Sequence, residues 1–338
     1  MVSSAPLRMG ILGAANIARQ FTSGIAPSKR VAVTAVASRD LAKAEKFARE
    51  CGIERALGSY EALLADPQID AIYNPLPNTL HAEWSIRAME AGKHVLCEKP
   101  LATSAADARA MFAAARRHNV HLAEAYPYLA QPQSIKLREL IAAGALGKLQ
   151  VIRSSFGVPF SDPNNIRLKA DGGGGALLDA GSYAVSLVRI VAGERPQRVH
   201  AVALMGETGV DRTVVATLEF ASGLLAQMSC SFATSYHRHA MIAGESGVIE
   251  TSYLNHPPLG GPPMLTIRRG ATVATTLETI EVAGGNGFLY EAEQFQELVT
   301  RGPKHWTGAT PEESIDIALT LDAILRSVRS KSSVMVSA

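Results

Sequence analysis

The sequence has little of what an extracellular, membrane-bound or polyelectrolyte-binding protein needs. It contains only three cysteines in 338 residues, Cys51, Cys97 and Cys230, far apart and with no CxxC pair. That usage argues against a disulfide or zinc framework and fits a reducing cytoplasm. Aromatic residues make up 6% and charged residues 19%, with Lys+Arg 33 against Asp+Glu 31 and a formal charge of +2. No block of like charge stands out, so an electrostatic role on nucleic acid or a membrane surface has no support. Apolar runs stop well short of the roughly 20 residues that span a bilayer. Met1 to Gly10 holds one Arg and no apolar core of secretory-signal length. What is abundant is apolar residue, 47% of the chain, and at roughly 150 residues per domain the length suits two cores. The expectation is a cytoplasmic globular protein of two domains.

The first third alternates strand and helix. Leu7 to Leu12 is a short apolar run ending at Gly13, the pattern of a buried parallel strand. Helical spacing follows from Ala14 to Ile25, then a β-branched run from Val31 to Ala37 and a charged helix from Asp40 to Glu50. Tyr60–Leu64 (helical turn), Ile69–Tyr73 (strand), His81–Ala91 (helix, stopped at Gly92), Val95–Leu96 (strand), Ser104–His118 (helix) and Val120–Ala123 (strand) continue the alternation. Such alternation predicts a doubly wound parallel sheet. Past about Tyr126 the grammar changes. A helix from Gln133 to Ala143 precedes strand candidates at 148–156, 198–204, 213–220 and 224–232, the last two joined at Ala221-Ser222-Gly223. Shorter extended pieces lie at 239–243, 248–252, 264–268 and 277–282, and helices at 288–300 and 311–329 close the chain. Asn255 to Pro263 reads as a loop, and Lys331 to Ala338 is expected to fray. The predicted organisation is therefore α/β plus α+β: residues 1–125 as a dinucleotide-binding domain and 126–338 as a mostly antiparallel open-sheet domain for substrate binding and oligomerisation.

The chemistry begins after the first strand. Gly13-Ala14-Ala15-Asn16-Ile17-Ala18 is a GxAxxA version of the glycine-rich turn that aims backbone N–H groups and a helix N-terminus at a pyrophosphate. An ordinary strand-to-helix turn would give the same residues, but the βαβ context favours the phosphate. At the end of the second strand, where an NAD site places a carboxylate for the ribose hydroxyls, stand Ser38 and Arg39. An Arg pairs with a 2′-phosphate by charge-assisted hydrogen bonds, so NADP is the expected cofactor and NAD the alternative. Further on come Cys97-Glu98-Lys99-Pro100 and the run Gly173 to Tyr183, in which Asp179 and Tyr183 are four apart and share a face if helical. Hydride transfer to a carbonyl needs an acid for the new alkoxide, and the reverse needs a base. A Tyr is a poor base near neutral pH, and an ammonium such as that of Lys99 beside it would correct this. Alone, Lys99 reads as a surface lysine and Tyr183 as a core aromatic.

Together these motifs resemble the glucose–fructose oxidoreductase, inositol dehydrogenase and MocA-like oxidoreductases. The order is the Rossmann turn, then Asn74-Pro75-Leu76-Pro77-Asn78 with His81, then Glu98-Lys99-Pro100, then Gly173 to Gly181. The resemblance runs from Met9 to about Gly193 and is specific to fold and cofactor class, not to substrate. It implies Lys99 as the catalytic lysine, Asp179 as an active-site acid, and Leu76, Pro77, Asn78, His81 and Glu98 along the cofactor, beside Gly13, Ala15, Asn16, Ile17, Ser38 and Arg39. Arg167 matches a cofactor- or substrate-contacting arginine. Tyr183, where inositol-dehydrogenase-like members carry His, resembles the branch of dihydrodiol dehydrogenases, xylose dehydrogenases and sugar 3-ketoreductases, and implies an acid/base role. Leu129 and Gln131 depart from the family's Arg and His in the stretch leading to the substrate pocket.

The expected function is hydride exchange between NADP(H) and a hydroxyl or carbonyl of a sugar or sugar derivative, as an aldose 1-dehydrogenase or a ketosugar reductase. A trans-dihydrodiol dehydrogenase-like enzyme and a non-catalytic NADP-binding redox sensor are the alternatives. The resemblance also implies a homo-oligomer, a dimer or tetramer, formed through the C-terminal sheet. His237 and His239 form HxH around Arg238, but no third clustered ligand argues for zinc, and a polar loop between strands is the better reading.

Overall fold

The computed structural model describes residues 5–258 and 261–337, so residues 259 and 260 of the expected Pro- and Gly-rich loop and Ala338 of the tail lie outside it. In chain order the elements begin with β1 (Leu7–Leu12), α1 (Asn16–Ile25), β2 (Val31–Ala37), α2 (Leu41–Cys51), β3 (Arg55–Leu57) and α3 (Tyr60–Leu64). There follow β4 (Ala71–Asn74), α4 (His81–Glu90), β5 (His94–Glu98), α5 (Ala105–Arg117) and β6 (Leu122–Ala125). Then come α6 (Pro132–Ala142), β7 (Leu149–Gly157), α7 (Ser182–Ala192), β8 (Arg198–Met205), β9 (Asp211–Glu219), β10 (Leu225–Ser231) and β11 (His237–Gly244). The chain finishes with β12 (Gly247–Thr251), β13 (Met264–Arg269), β14 (Thr276–Glu281), α8 (Gly287–Arg301), α9 (Pro311–Ser330) and β15 (Val334–Met335).

Two compact units result. The first holds residues 5–102, 106–130 and 285–311; the second holds 103–105, 131–284 and 312–337. The expected single cut after residue 125 does not describe them, because α8 packs its apolar face into the first unit. Phe288, Ala292, Phe295 and Leu298 share one buried cluster with Phe21, Ile25 and Tyr73. Phe21 stacks on Tyr73 at 4.0 Å and meets Phe288 edge-on at 6.3 Å. Polar contacts along the same helix add Ser28 donating to Glu293 and Arg30 to Gln296 and Glu297.

The first unit carries a six-stranded sheet in the order β3-β2-β1-β4-β5-β6, every adjacent pair parallel. After β1 the chain steps outward one way to β3; β4 starts on the other side of β1. The β1/β4 boundary is thus a switch point, the place where open α/β sheets leave a crevice at their carboxyl ends. The second unit carries a nine-stranded sheet, β14-β13-β12-β11-β7-β10-β9-β8-β15, antiparallel except where β10 runs parallel to β7. Residues 334–335, within the tail expected to fray, pair with β8. Among the described residues no helix is long and apolar enough to cross a membrane.

Candidate active site

In the first unit the sequence-marked residues gather along the carboxyl edge of the parallel sheet. Gly13 follows β1 with φ +83°, and a Cβ there would lie 3.1 Å from Leu76 Cδ2, so only glycine suits both the bend and the close approach. Its N–H donates to the Ala37 carbonyl at 2.7 Å, tying the turn to β2. Ala15 is the N-cap of α1 and offers no side-chain cap. The first N–H groups of α1, at Asn16 and Ile17, therefore have no side-chain acceptor from the cap, as an anion-binding helix start requires.

Beyond β2, Ser38 is nearly buried and its Oγ accepts from the Asp40 N–H at 3.2 Å. Asp40 is turned into its own helix: it caps α2 by accepting from Lys43 N–H at 3.2 Å and lies 3.7 Å from Lys43 Nζ. Arg39 stands exposed between them. The end of β2 therefore offers a hydroxyl and a guanidinium, with the neighbouring carboxylate already engaged. That arrangement fits a phosphorylated ribose better than a plain diol.

After β4, the amide of fully buried Asn74 donates to Ser85 Oγ at 2.9 Å and to the His81 carbonyl at 3.2 Å, and accepts from Leu76 N–H. That holds Leu76, Pro77 and Asn78 in place at the strand end. His81 is 1% exposed, with Nδ1 2.9 Å from the Pro100 carbonyl and Nε2 2.8 Å from that of Leu76. Burial pushes its pKa down, helped by the charge of Lys99. In the neutral form it donates to one of these two carbonyls, and its ring lies between the backbone after β4 and that after β5. After β5, Glu98 accepts from the Tyr73 hydroxyl at 2.5 Å and from Lys99 N–H at 3.3 Å, and Lys99 is half-buried.

The second unit assembles a second group. Residues 177–181 form a single π turn that leads into α7, so the α-helical four-residue spacing expected for Asp179 and Tyr183 does not apply there. Gly175, at φ +119°, lies where a Cβ would be 2.4 Å from Asp211 Oδ1, and the other Asp211 oxygen accepts from Leu177 N–H at 2.7 Å. Burial pushes the Asp211 pKa up, against these backbone N–H groups. Asp211 thus anchors the glycine run, a role that no sequence signal announced. Arg167 belongs to this unit: its Nε donates to Asp179 Oδ2 at 2.8 Å and its guanidinium lies 5.2 Å from the Phe160 ring.

Tyr183 is 6% exposed. Asn255 Nδ2 donates to its hydroxyl at 3.1 Å, and Phe156 packs edge-on at 5.6 Å. The Arg238 guanidinium sits 4.1 Å over its ring. Residues 237–239 are a strand, not the polar loop expected, with Arg238 buried and both histidines exposed. In the sequence Arg238 belongs to no motif of its own beyond the HxH that surrounds it. The alternation Arg238, Ala240, Ile242 was the signal available to place it on the covered face.

A parallel sheet of this strand order, ending in an uncapped helix start at its switch point, is the fold of dinucleotide-dependent oxidoreductases. The family model of the GFO/IDH/MocA oxidoreductases, described as having an NAD-binding Rossmann fold, matches residues 7–126, and that of the GFO/IDH/MocA C-terminal domain matches 134–250. The chain is 35% identical to an NADP(+) D-xylose 1-dehydrogenase of Haloferax volcanii, covering 97% of this chain and 99% of the relative. It is also 35% identical to the trans-1,2-dihydrobenzene-1,2-diol dehydrogenase of Xenopus laevis, covering 94% and 97%. A 3-ketoreductase from Actinomadura kijaniata, crystallised with NADP and TDP-benzene, superposes with a TM-score of 0.86 at 32% identity over 95% of this chain and 98% of that one. The chain belongs to the GFO/IDH/MocA oxidoreductase family.

Proposed function

We propose that the protein is an NADP(H)-dependent oxidoreductase acting on a hydroxyl or carbonyl carbon of a sugar or sugar derivative, of the aldose 1-dehydrogenase or ketosugar reductase type. The observation that carries it is Tyr183, a nearly buried phenol whose oxygen accepts an amide hydrogen bond and whose ring faces a guanidinium. When bound, the dinucleotide supplies or takes up the hydride. In the reductive direction the Tyr183 hydroxyl gives its proton to the developing alkoxide; in the oxidative direction its oxygen takes the proton back. Asp179, oriented by Arg167, positions the sugar hydroxyls by accepting from them. Lys99 supplies the cation that assists proton transfer and polarises the reacting oxygen. Gly13, Ala15, Asn16 and Ile17 would hold the pyrophosphate, Ser38 and Arg39 the 2′-phosphate, and Leu76, Pro77, Asn78 and Glu98 the nicotinamide half. The Haloferax and Actinomadura relatives, both named with NADP and one with a sugar substrate, support this reading.

A trans-dihydrodiol dehydrogenase is the second reading, favoured by an equal 35% identity to the Xenopus enzyme. Under either reading a homo-oligomer formed through the nine-stranded sheet is proposed. The test is an absorbance assay at the nicotinamide band with free aldoses, keto-sugars and a dihydrodiol against both cofactors. Turnover of a sugar with NADP(H) is expected, and Tyr183→Phe is expected to cut it about 100-fold or more, the scale of general acid–base catalysis, with cofactor affinity unchanged. Near-normal turnover in that variant would remove Tyr183 from the role.

A further inference from the structure

Two tyrosines of the second unit border the same guanidinium, and their hydroxyls make different hydrogen bonds. Arg238 is 7% exposed, on β11 directly across from Phe156 of β7. Its guanidinium lies 4.1 Å from the Tyr183 ring and 4.7 Å from those of Phe156 and Tyr253. Tyr253 is 1% exposed; its hydroxyl donates to the Ser155 carbonyl at 2.9 Å and lies 2.9 Å from Ser154 Oγ. A carbonyl acceptor requires the phenol to keep its proton, and burial pushes Tyr253 up to about 12 despite Arg238. The Tyr183 oxygen instead receives an N–H from Asn255 at 3.1 Å. A donor aimed at the oxygen stabilises the phenolate.

The orientation of that amide is set by Arg238. Arg238 Nη1 lies 3.2 Å from Asn255 Oδ1, and a guanidinium can only donate. The amide oxygen must therefore face Arg238, which leaves the Asn255 NH2 for Tyr183. Gln131 Nε2 donates to the Asn255 backbone carbonyl at 2.8 Å and fixes the segment from the other side.

We infer that Arg238 and Asn255 are positioning residues that stabilise the phenolate of Tyr183: Arg238 by its charge over the ring and by fixing the Asn255 amide, Asn255 by its N–H on the phenol oxygen. The inference deepens the proposed acid/base role of Tyr183 and rests on that reading for its functional meaning. Other described titratable groups of the same unit lie near Tyr183. Cys230, which the Gly181 backbone overlies, is pushed up by burial and stays a thiol, and Asp211 beyond it is pushed up likewise. Asp179 is paired with Arg167, and Tyr236 packs edge-on against Phe156 at 6.1 Å. Arg238 places a cation 4.1 Å over the ring.

The test needs no substrate. Tyrosinate absorbance is titrated for the parent protein and for Tyr183→Phe, and their difference isolates the ionisation of Tyr183. Arg238→Met, in both backgrounds, is expected to move that ionisation upward by about one pH unit, tenfold in its constant. Arg238→Lys, which keeps the charge, is expected to restore most of the shift. Asn255→Asp, in a half-buried loop, puts an acceptor and a charge at the phenol and is expected to move the ionisation upward too, which tests the device if Arg238→Met does not fold. A Tyr183 ionisation unmoved by Arg238→Met or Asn255→Asp would overturn the inference, whatever the turnover assay shows. A shifted ionisation with normal turnover in Tyr183→Phe would instead leave the electrostatics standing and remove the catalytic reading.

Discussion

A guanidinium at the end of a second strand reads a phosphate best when no carboxylate competes for it. Here the competitor is one residue away, and helix capping removes it: Asp40 accepts from Lys43 N–H while Arg39 stays exposed. Charge-assisted hydrogen bonds to a phosphate contribute on the order of 1.5–3 kcal/mol. Arg39→Asp is therefore expected to weaken NADPH binding about tenfold or more, with NADH affinity changed far less, as read by nicotinamide fluorescence titration. Equal losses for both would mean that the turn after β2 had been disturbed. Residue identity at the end of the second strand pointed to Ser38 and Arg39, whereas Lys99, Asp179 and Tyr183 stood out only through the order of their motifs and the family resemblance it carries. The partners that condition them were harder to see, because Arg238, Asn255 and Asp211 act across strands or loops separated by tens of residues. His81 shows the reverse case, marked by its motif and then found with both nitrogens on backbone carbonyls.

Among the elements, α8 combines the clearest local pattern with the least foreseeable destination. Its helical spacing was legible from Phe288 onward, as were β1, β2 and α3 to the residue, because apolar periodicity is local. That its apolar stripe serves the first unit was not, since periodicity tells that a face is buried and never against what. Three-residue β3 and two-residue β15 are too short to carry a period and exist by pairing with β2 and β8. The same stripe of α8 buries Glu291, 1% exposed, and neither of its carboxyl oxygens has a hydrogen-bond partner among the described residues. Burial, and the nearby charge of Glu98, push it well above its ordinary 4.5. The folded chain therefore holds a proton that the unfolded chain releases once pH passes 4.5, so this group lowers stability progressively as pH rises from there. Glu291→Gln removes that cost. Its melting temperature is expected to exceed the parent's near neutral pH, with the two converging on acidification. A constant difference across pH would show Glu291 to be ionised in the fold.

For the molecule as a whole, the nine-stranded sheet leaves much apolar surface uncovered. Val202, Leu204, Val215 and Leu225 are 61%, 71%, 47% and 49% exposed, and Val202 pairs across the ladder with Val215. Exposed apolar side chains paired across a ladder, as Val202 and Val215 are, mark an interaction surface, and a second copy of the chain is the proposed partner. Sedimentation is expected to give a dimer or larger species, and Val202→Glu with Leu204→Glu to give monomers that keep cofactor binding. A monomeric parent protein would end the proposal.

The course of the chain carries one more consequence, for how the protein is made. The first unit spans residues up to 130 and is completed only by 285–311. At about 5–20 residues per second, a ribosome that has finished the parallel sheet takes on the order of 10–30 s more before α8 leaves the exit tunnel. Through that interval Phe21 and Ile25 of α1 face outward without Phe288, Phe295 and Leu298 to cover them. Synthesis therefore passes through a nascent Rossmann sheet with a bare hydrophobic flank, a surface suited to a chaperone, and closes it only when the last sixth of the chain arrives.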